Sequence, residues 1–194
     1  MTRLDSSRLF RSYPRGGLIP TTPDLLLHVV EGVVAQMVIH IDGTEVLLGF
    51  YGPGQLLVPH PADSCYIHLQ AHTDVTLQSL PWAEANRLPD LAEQLRARIW
   101  QQEAWAALQA RPANEERLLG ILSLLAEQFG LATADGTLVD LRITHQQLAS
   151  AIGVTRPTVT RLINLLRRRR LLSTIGVGNQ ERFLLHQLPH ATHL

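Results

Sequence analysis

The stretch THQQLASAIGVTRPTVTRLINLLR, from Thr144 to Arg167, constrains the fold more than any other part of the chain. Thr144 followed three residues later by Gln147 is a capping box, which predicts that a helix opens at His145. Gly153 ends that helix in a conformation that favours glycine, Val154 fills the turn, and Thr155 stands as cap of a second helix from Arg156. Pro157 falls in the first turn, where a missing N–H costs nothing. Ala149 lets the two helices approach, Val159 plugs the space between them, and Leu148, Ile152 and Leu162 complete the plug. Two short helices joined by a tight glycine turn make a helix-turn-helix unit.

On a wheel of about 100° per residue, Val159, Leu162, Ile163, Leu165 and Leu166 fall on one arc of the second helix. Arg156, Pro157, Thr160, Arg161, Asn164, Arg167 and Arg168 fall on the other. An exposed face of arginine, threonine and asparagine near a helix N-terminus suits a reader of the DNA major groove. There arginine pairs bidentately with guanine and threonine meets a thymine methyl. A solvated amphipathic helix is the plainer alternative, and the capping box, the spacing and the face together weigh against it. Leu171–Ile175 and Arg182–His186 then read as two short strands around a glycine-rich turn, a wing.

Upstream, from Tyr13 to Leu80, the chain reads as short antiparallel strands. Turns fall at Glu31-Gly32, Asp42-Gly43 and Gly52-Pro53-Gly54, and two further strands flank His72–Asp74. The character changes at Pro81. Pro89–Ala110 has helical periodicity through Leu91, Leu95, Ile99, Trp105 and Leu108, with Asp90 as cap. Such a helix either packs on its own domain or forms a seam with a second copy. Pro112 breaks it, Asn114 caps and Gly130 ends a third helix, and ATADGTLVDLRI adds a turn and a short strand. The expected domains are residues 1–88 (a β unit), 89–111 (the long helix) and 112–194 (the winged domain).

Composition bounds the partners. The net charge is zero, yet residues 1–110 carry 7 arginines against 11 acidic residues, and residues 111–194 carry 10 against 6. The basic end is the one to meet a polyanion. No apolar run reaches the length of a bilayer span, no secretory signal is evident, and Cys65 is the only cysteine, so a cytoplasmic setting is expected. One cysteine excludes a four-cysteine iron–sulfur sensor. Haem ligation by His28, His40, His68 or His72 is weaker than their reading as ordinary strand residues, and Cys65-x-x-His68 has no second pair to make a metal site. No motif of a serine hydrolase, a Walker-loop nucleotidase or a zinc protease is present, so no catalysis is expected.

The β segments VVEGVV and DGTEVLLGFYGPGQ, the long helix with RIWQQE, and ADGTLVDLRITHQQLASAIGVTRPTVTRLINLLR together resemble the Crp/Fnr superfamily of bacterial transcription regulators. Within it, the C-terminal half is most like the cyanobacterial nitrogen-control type, NtcA. The resemblance implies an α+β chain: an N-terminal antiparallel β-roll of the cyclic-nucleotide-binding jelly-roll kind, a long central dimerisation helix, and a C-terminal winged helix-turn-helix. It implies a homodimer on a palindromic promoter site in double-stranded DNA, with RNA polymerase as a further partner and no membrane.

By the same resemblance Arg156 and Arg161 match base- and phosphate-contacting arginines, and Thr158 and Thr160 match small contact residues. Thr144 and Gln146 match positions that touch backbone phosphate, and Thr155, Asn164, Arg167 and Arg168 complete the DNA-facing set. Pro157 replaces a residue, often glutamate, that reads a base in many members. Members that bind cyclic AMP carry a glutamate and an arginine–serine pair where this chain has GQLLVPHPADSCY, so cyclic AMP is not expected. The nitrogen regulators bind 2-oxoglutarate with an arginine in that segment and an Arg–Glu pair on the long helix. Arg98 and Glu103 match the pair, which also reads as an exposed i,i+5 charge pair, and Cys65 takes the other arginine's place. Half the site survives in a degenerate pocket, so the absence of any small effector is weighed ahead of 2-oxoglutarate. The rival reading is an effector-binding or protein-interaction module whose winged domain docks a protein.

Overall fold

The computed structural model describes residues 9–59, 66–176 and 181–186. Among them, strands and helices follow in the order β1 (Leu9–Tyr13), β2 (Leu18–Ile19), β3 (Leu25–Glu31), β4 (Val34–Ile39), β5 (Glu45–Tyr51), β6 (Leu56–Leu57), β7 (Tyr66–Ala71), β8 (Val75–Pro81), α1 (Trp82–Ala85), α2 (Leu91–Gln109), α3 (Asn114–Phe129), β9 (Gly130–Thr133), β10 (Gly136–Val139), α4 (His145–Ile152), α5 (Arg156–Arg168), β11 (Leu172–Ile175) and β12 (Arg182–Leu185). The chain divides into two compact units, residues 1–102 and 103–194, and the division falls inside α2.

The first unit is the expected β-roll. Two four-stranded antiparallel sheets, β1-β8-β3-β6 and β2-β7-β4-β5, face each other. Leu27, Val29, Leu57, Val75 and Leu77 from one sheet meet Ile19, Val34, Tyr51, Leu69 and Ala71 from the other in a buried core. Period-two alternation puts those residues inward while their neighbours stand outward. The turn at Asp42-Gly43 joins β4 to β5, with Thr44 N–H donating to the Asp42 carboxylate. A second cluster of Leu26, Leu56, Leu80 and Ala85 takes Trp82 and Leu91 against the outer face of one sheet. Strand β1 lies upstream of the segment read as strands; it is an edge strand with mostly exposed side chains, and that pattern carries little signal.

The second unit packs α3, α4 and α5 beside the sheet β11-β12-β10-β9. Three details differ from the sequence expectations. Ala113, not Asn114, is the cap of α3, and Asn114 is its first helical residue. Gly130 closes α3 with extended backbone, φ −81°, rather than a left-handed one. Its lack of a side chain is a matter of space: a Cβ there would lie 2.0 Å from the Ala126 carbonyl oxygen and 2.6 Å from Thr137. ATADGTLVDLRI holds the turn of a hairpin whose two strands, β9 and β10, pair from Gly130↔Val139 to Thr133↔Gly136, rather than a single strand.

Candidate nucleic-acid interface

Helix α4 is fixed at both ends by local chemistry. The Thr144 hydroxyl accepts from the Gln147 N–H at 3.1 Å, and the Gln147 side-chain Oε1 accepts from the Thr144 N–H at 3.0 Å, the reciprocal capping box the sequence predicts. At the other end Gly153 is left-handed, φ 68°, and its N–H and that of Val154 both reach the Ala149 carbonyl. Two more terminal carbonyls are satisfied from outside the helix. Gln109 Nε2 donates to the Ala151 carbonyl, and Arg117 Nη1 donates to the Ile152 carbonyl at 2.8 Å, placing a cation at the negative end of the dipole.

Helix α5 divides as its wheel predicts, with one correction. Val159, Ile163 and Leu166 are fully buried with Leu148, Ala149 and Ile152, and Leu162 is only half-buried. The plug between the helices is therefore Val159, Ile163 and Leu166; Leu162 sits at the rim of the apolar arc. On the opposite face Arg156, Pro157, Arg161, Asn164, Arg167 and Arg168 are exposed, and Thr158 and Thr160 are half-buried. Thr155 occupies the cap position, but its hydroxyl meets the Thr158 hydroxyl at 2.9 Å and caps no backbone N–H. Pro157 lies in the first turn, as expected.

Eight of the ten arginines of this unit fall into two sets. Arg169 pairs with Glu115, Arg182 with Asp140 at 2.6 Å, and Arg111 with Glu116 at 4.0 Å; Arg117 caps α4. These hold the unit together. Among the described residues, Arg156, Arg161, Arg167 and Arg168 form no ion pair. Arg161 Nη2 makes only a long 3.4 Å contact with the Thr158 hydroxyl. Four unpaired cations along one face of a helix of about 20 Å form a positive strip. Gln146 is exposed on the first turn of α4, where free N–H groups favour an anion, and Thr144 beside it is half-buried with its hydroxyl engaged in the cap.

The end of α5 also differs from expectation. Arg169 is tied to α3 through Glu115 rather than placed for the dipole alone. Arg170 is left-handed, φ 57°, with its N–H on the Arg167 carbonyl and the Leu171 N–H on the Leu166 carbonyl. That is a Schellman ending with arginine where glycine is usual. The chain then enters the wing, β11 paired with β12 from Leu172↔Leu185 to Ile175↔Arg182. Two residues that the sequence expectations do not single out join these elements. His145 Nδ1 lies 2.9 Å from the Thr160 hydroxyl, and His145 Nε2 lies 3.2 Å from a Glu181 carboxylate oxygen. No local motif announces a contact between residues 36 apart in the chain.

The first unit holds a cavity of about 180 Å³, lined by Tyr51, Gly54, Gln55, Leu56, Gln94, Ala97, Arg98 and Gln101. Arg98 turns into it rather than lying in an exposed charge pair: Nη1 donates to the Leu56 carbonyl at 2.8 Å, and the guanidinium lies 4.9 Å from the centre of the Tyr51 ring. Burial pulls the guanidinium below its ordinary pKa and pushes the Tyr51 phenol above its own, the nearby arginine opposing the latter shift. The Tyr51 hydroxyl donates to Gln36 at 2.8 Å. Glu103 is exposed on α2, and Cys65 lies outside the described residues. Among the described residues, no group of three histidine, cysteine, aspartate or glutamate side chains is placed to hold a metal. His72 stacks edge-on against Phe50.

Comparison with known proteins gives the arrangement its family. Residues 116–188 match the Crp-like helix-turn-helix domain. The global nitrogen regulator of Nostoc sp. (strain PCC 7120) is 32% identical over 159 residues, covering 75% of this chain and 71% of that protein. The regulatory protein CysR of Synechococcus elongatus is 29% identical, over 79% of this chain and 74% of that one. Among solved structures, FixK2 from Bradyrhizobium japonicum superposes with a TM-score of 0.73 at 19% identity, covering 92% of each chain. A Crp/Fnr-family transcriptional regulator from Thermus thermophilus does so at 0.69 and 25%, over 91% of this chain and 93% of that one. The β-roll, the helix-turn-helix and these relatives agree: the chain belongs to the Crp/Fnr family of DNA-binding transcription regulators, which are not enzymes.

Proposed function

We propose that this regulator acts as a homodimer that reads a palindromic promoter site with two copies of α5. The observation that carries this reading is the unpaired face of Arg156, Arg161, Arg167 and Arg168 beside the buried Val159, Ile163 and Leu166. Regulators of this family bind DNA and act as dimers. In this chain α2 supplies the seam: Ala92, Leu95 and Ile99 recur at coiled-coil spacing, Ile99 is 53% exposed, and Trp100 beside it is 59% exposed. Arg156 and Arg161 read bases or phosphates from the first turn and a half of α5. Thr155, Thr158, Thr160 and Asn164 contact the groove. Thr144, Gln146, Arg167 and Arg168 sit on backbone phosphate, and Pro157 offers its ring where relatives offer a polar reader.

For the effector we propose a small anion at the Arg98 cavity, with 2-oxoglutarate the candidate the nitrogen-regulator likeness favours. Glu103 and the Cys65 segment are the further residues that likeness brings in. The cavity is smaller than the roughly 300–1,000 Å³ of pockets for drug-sized ligands, which weighs against cyclic AMP. RNA polymerase is the protein partner this reading implies, and the setting is cytoplasmic. No helix among the described residues is long and apolar enough to cross a membrane.

A salt titration tests the DNA reading. With six to ten phosphate contacts, affinity for duplex DNA falls by about 10³–10⁵ between 50 and 200 mM salt. A flat dependence favours the protein-docking alternative. For the effector, millimolar 2-oxoglutarate is expected to raise the melting temperature and cyclic AMP to leave it unchanged; the reverse result overturns that assignment.

A further inference from the structure

His145 opens α4, yet its side chain is only 22% exposed, and the Glu181 side chain it meets is only 18% exposed. One imidazole joins three elements: α4, which carries it; α5, through Thr160; and the foot of wing strand β12, through Glu181. The wing end of this link is itself held. Arg182, the next residue, binds the Asp140 carboxylate at 2.6 Å, which fixes β12 beside the end of β10.

Donor and acceptor counts limit the states of the ring. A carboxylate only accepts, so Nε2 carries the proton toward Glu181. Nδ1 then has two choices. In the neutral ring it accepts the Thr160 hydroxyl proton. In the imidazolium it donates to Thr160 Oγ1, whose own proton goes to the Arg156 carbonyl 3.2 Å away. Both states hold the Thr160 hydroxyl against His145. Both occupy both ring nitrogens, so neither nitrogen is offered to a DNA phosphate.

We infer that His145 is a positioning residue for sequence discrimination: it locks the first turn and a half of α5, where Arg156, Thr160 and Arg161 stand, to the wing through Glu181. The inference rests on the base-reading role of α5. It differs from a phosphate contact, which would strengthen every duplex alike, and from a fold-holding role, which would show in stability alone.

The full chain is titrated against two duplexes at one salt concentration, its best selected site and a scrambled site of equal length. His145→Ala is expected to lower the ratio of the two affinities by about tenfold, on the scale of one lost base contact, while scrambled-site affinity stays within about twofold. His145→Gln, which keeps an amide N–H for Glu181 and a carbonyl for Thr160, is expected to restore most of the ratio. Glu181→Ala severs only the wing side and is expected to lower the ratio too, and the double variant is expected to lose no more than His145→Ala alone. Should His145→Ala lower the melting temperature steeply, Glu181→Ala decides. An equal loss on both duplexes, an unchanged ratio in Glu181→Ala, or full additivity overturns the inference. A wild-type chain that prefers neither duplex overturns the base-reading role itself, and the inference with it.

Discussion

Two left-handed residues bracket α5, and they respond to substitution in opposite directions. Gly153 at φ 68° has nothing within 4 Å of the place a Cβ would take, so Gly153→Ala tests conformation without a clash. The expected cost is about 1–2 kcal/mol, read by denaturant or thermal melting. Arg170 at φ 57° holds the same conformation with a side chain attached. Arg170→Gly is expected to be stabilising by up to about 1 kcal/mol, because relief of the left-handed strain outweighs the added freedom of the unfolded glycine. Tyr51 adds a pH dependence. Burial raises its folded pKa, so its stabilising contribution is fully present below the ordinary tyrosine value of about 10 and is lost as pH rises through the higher folded value. A phenolate absorbance titration is expected to show one late component, which Tyr51→Phe removes.

At the scale of elements, α5 behaves as two helices in one. On the proposed reading its first turn and a half specifies and its far end anchors. Arg156→Ala is expected to relax preference at one base pair by roughly 1–3 kcal/mol. Arg168→Ala is expected to weaken all duplexes evenly and to lower the salt slope by about one, and a binding series across salt separates the two. The division is legible in the sequence because a period of 3.6 sorts Val159, Ile163 and Leu166 from the arginines without knowledge of any partner. The capping box at Thr144 is legible because both of its hydrogen bonds lie within four residues. The sequence misleads at Thr155, where a cap residue with threonine three positions on has a second partner of equal merit. It misleads at Leu162 because a wheel gives direction and not depth. Strands β1 and β9 carry mostly exposed residues and leave no alternation to read. The burial of Arg98 depends on how the start of α2 rotates against the β-roll, and the His145–Glu181 contact depends on where the wing folds back. Neither is encoded in neighbouring residues.

At the scale of the molecule, the proposed function follows from repetition: on that reading one α5 takes a half-site, and two together make the discrimination large. The proposed seam on α2 is the element to break. Ile99→Glu places a charge where an apolar side chain is 53% exposed in the single chain, and it is expected to give a monomer by analytical ultracentrifugation with the winged domain still folded. Half-sites one helical turn apart, about 10 base pairs centre to centre, follow from a two-fold dimer. Selection of bound sites from a random duplex pool tests this most directly. The expected result is a two-fold symmetric consensus with that spacing, which loses information at one position of each half-site when Arg156→Ala is used instead. Enrichment without symmetry, no enrichment at all, or a consensus unchanged by Arg156→Ala contradicts a dimer that reads DNA through α5.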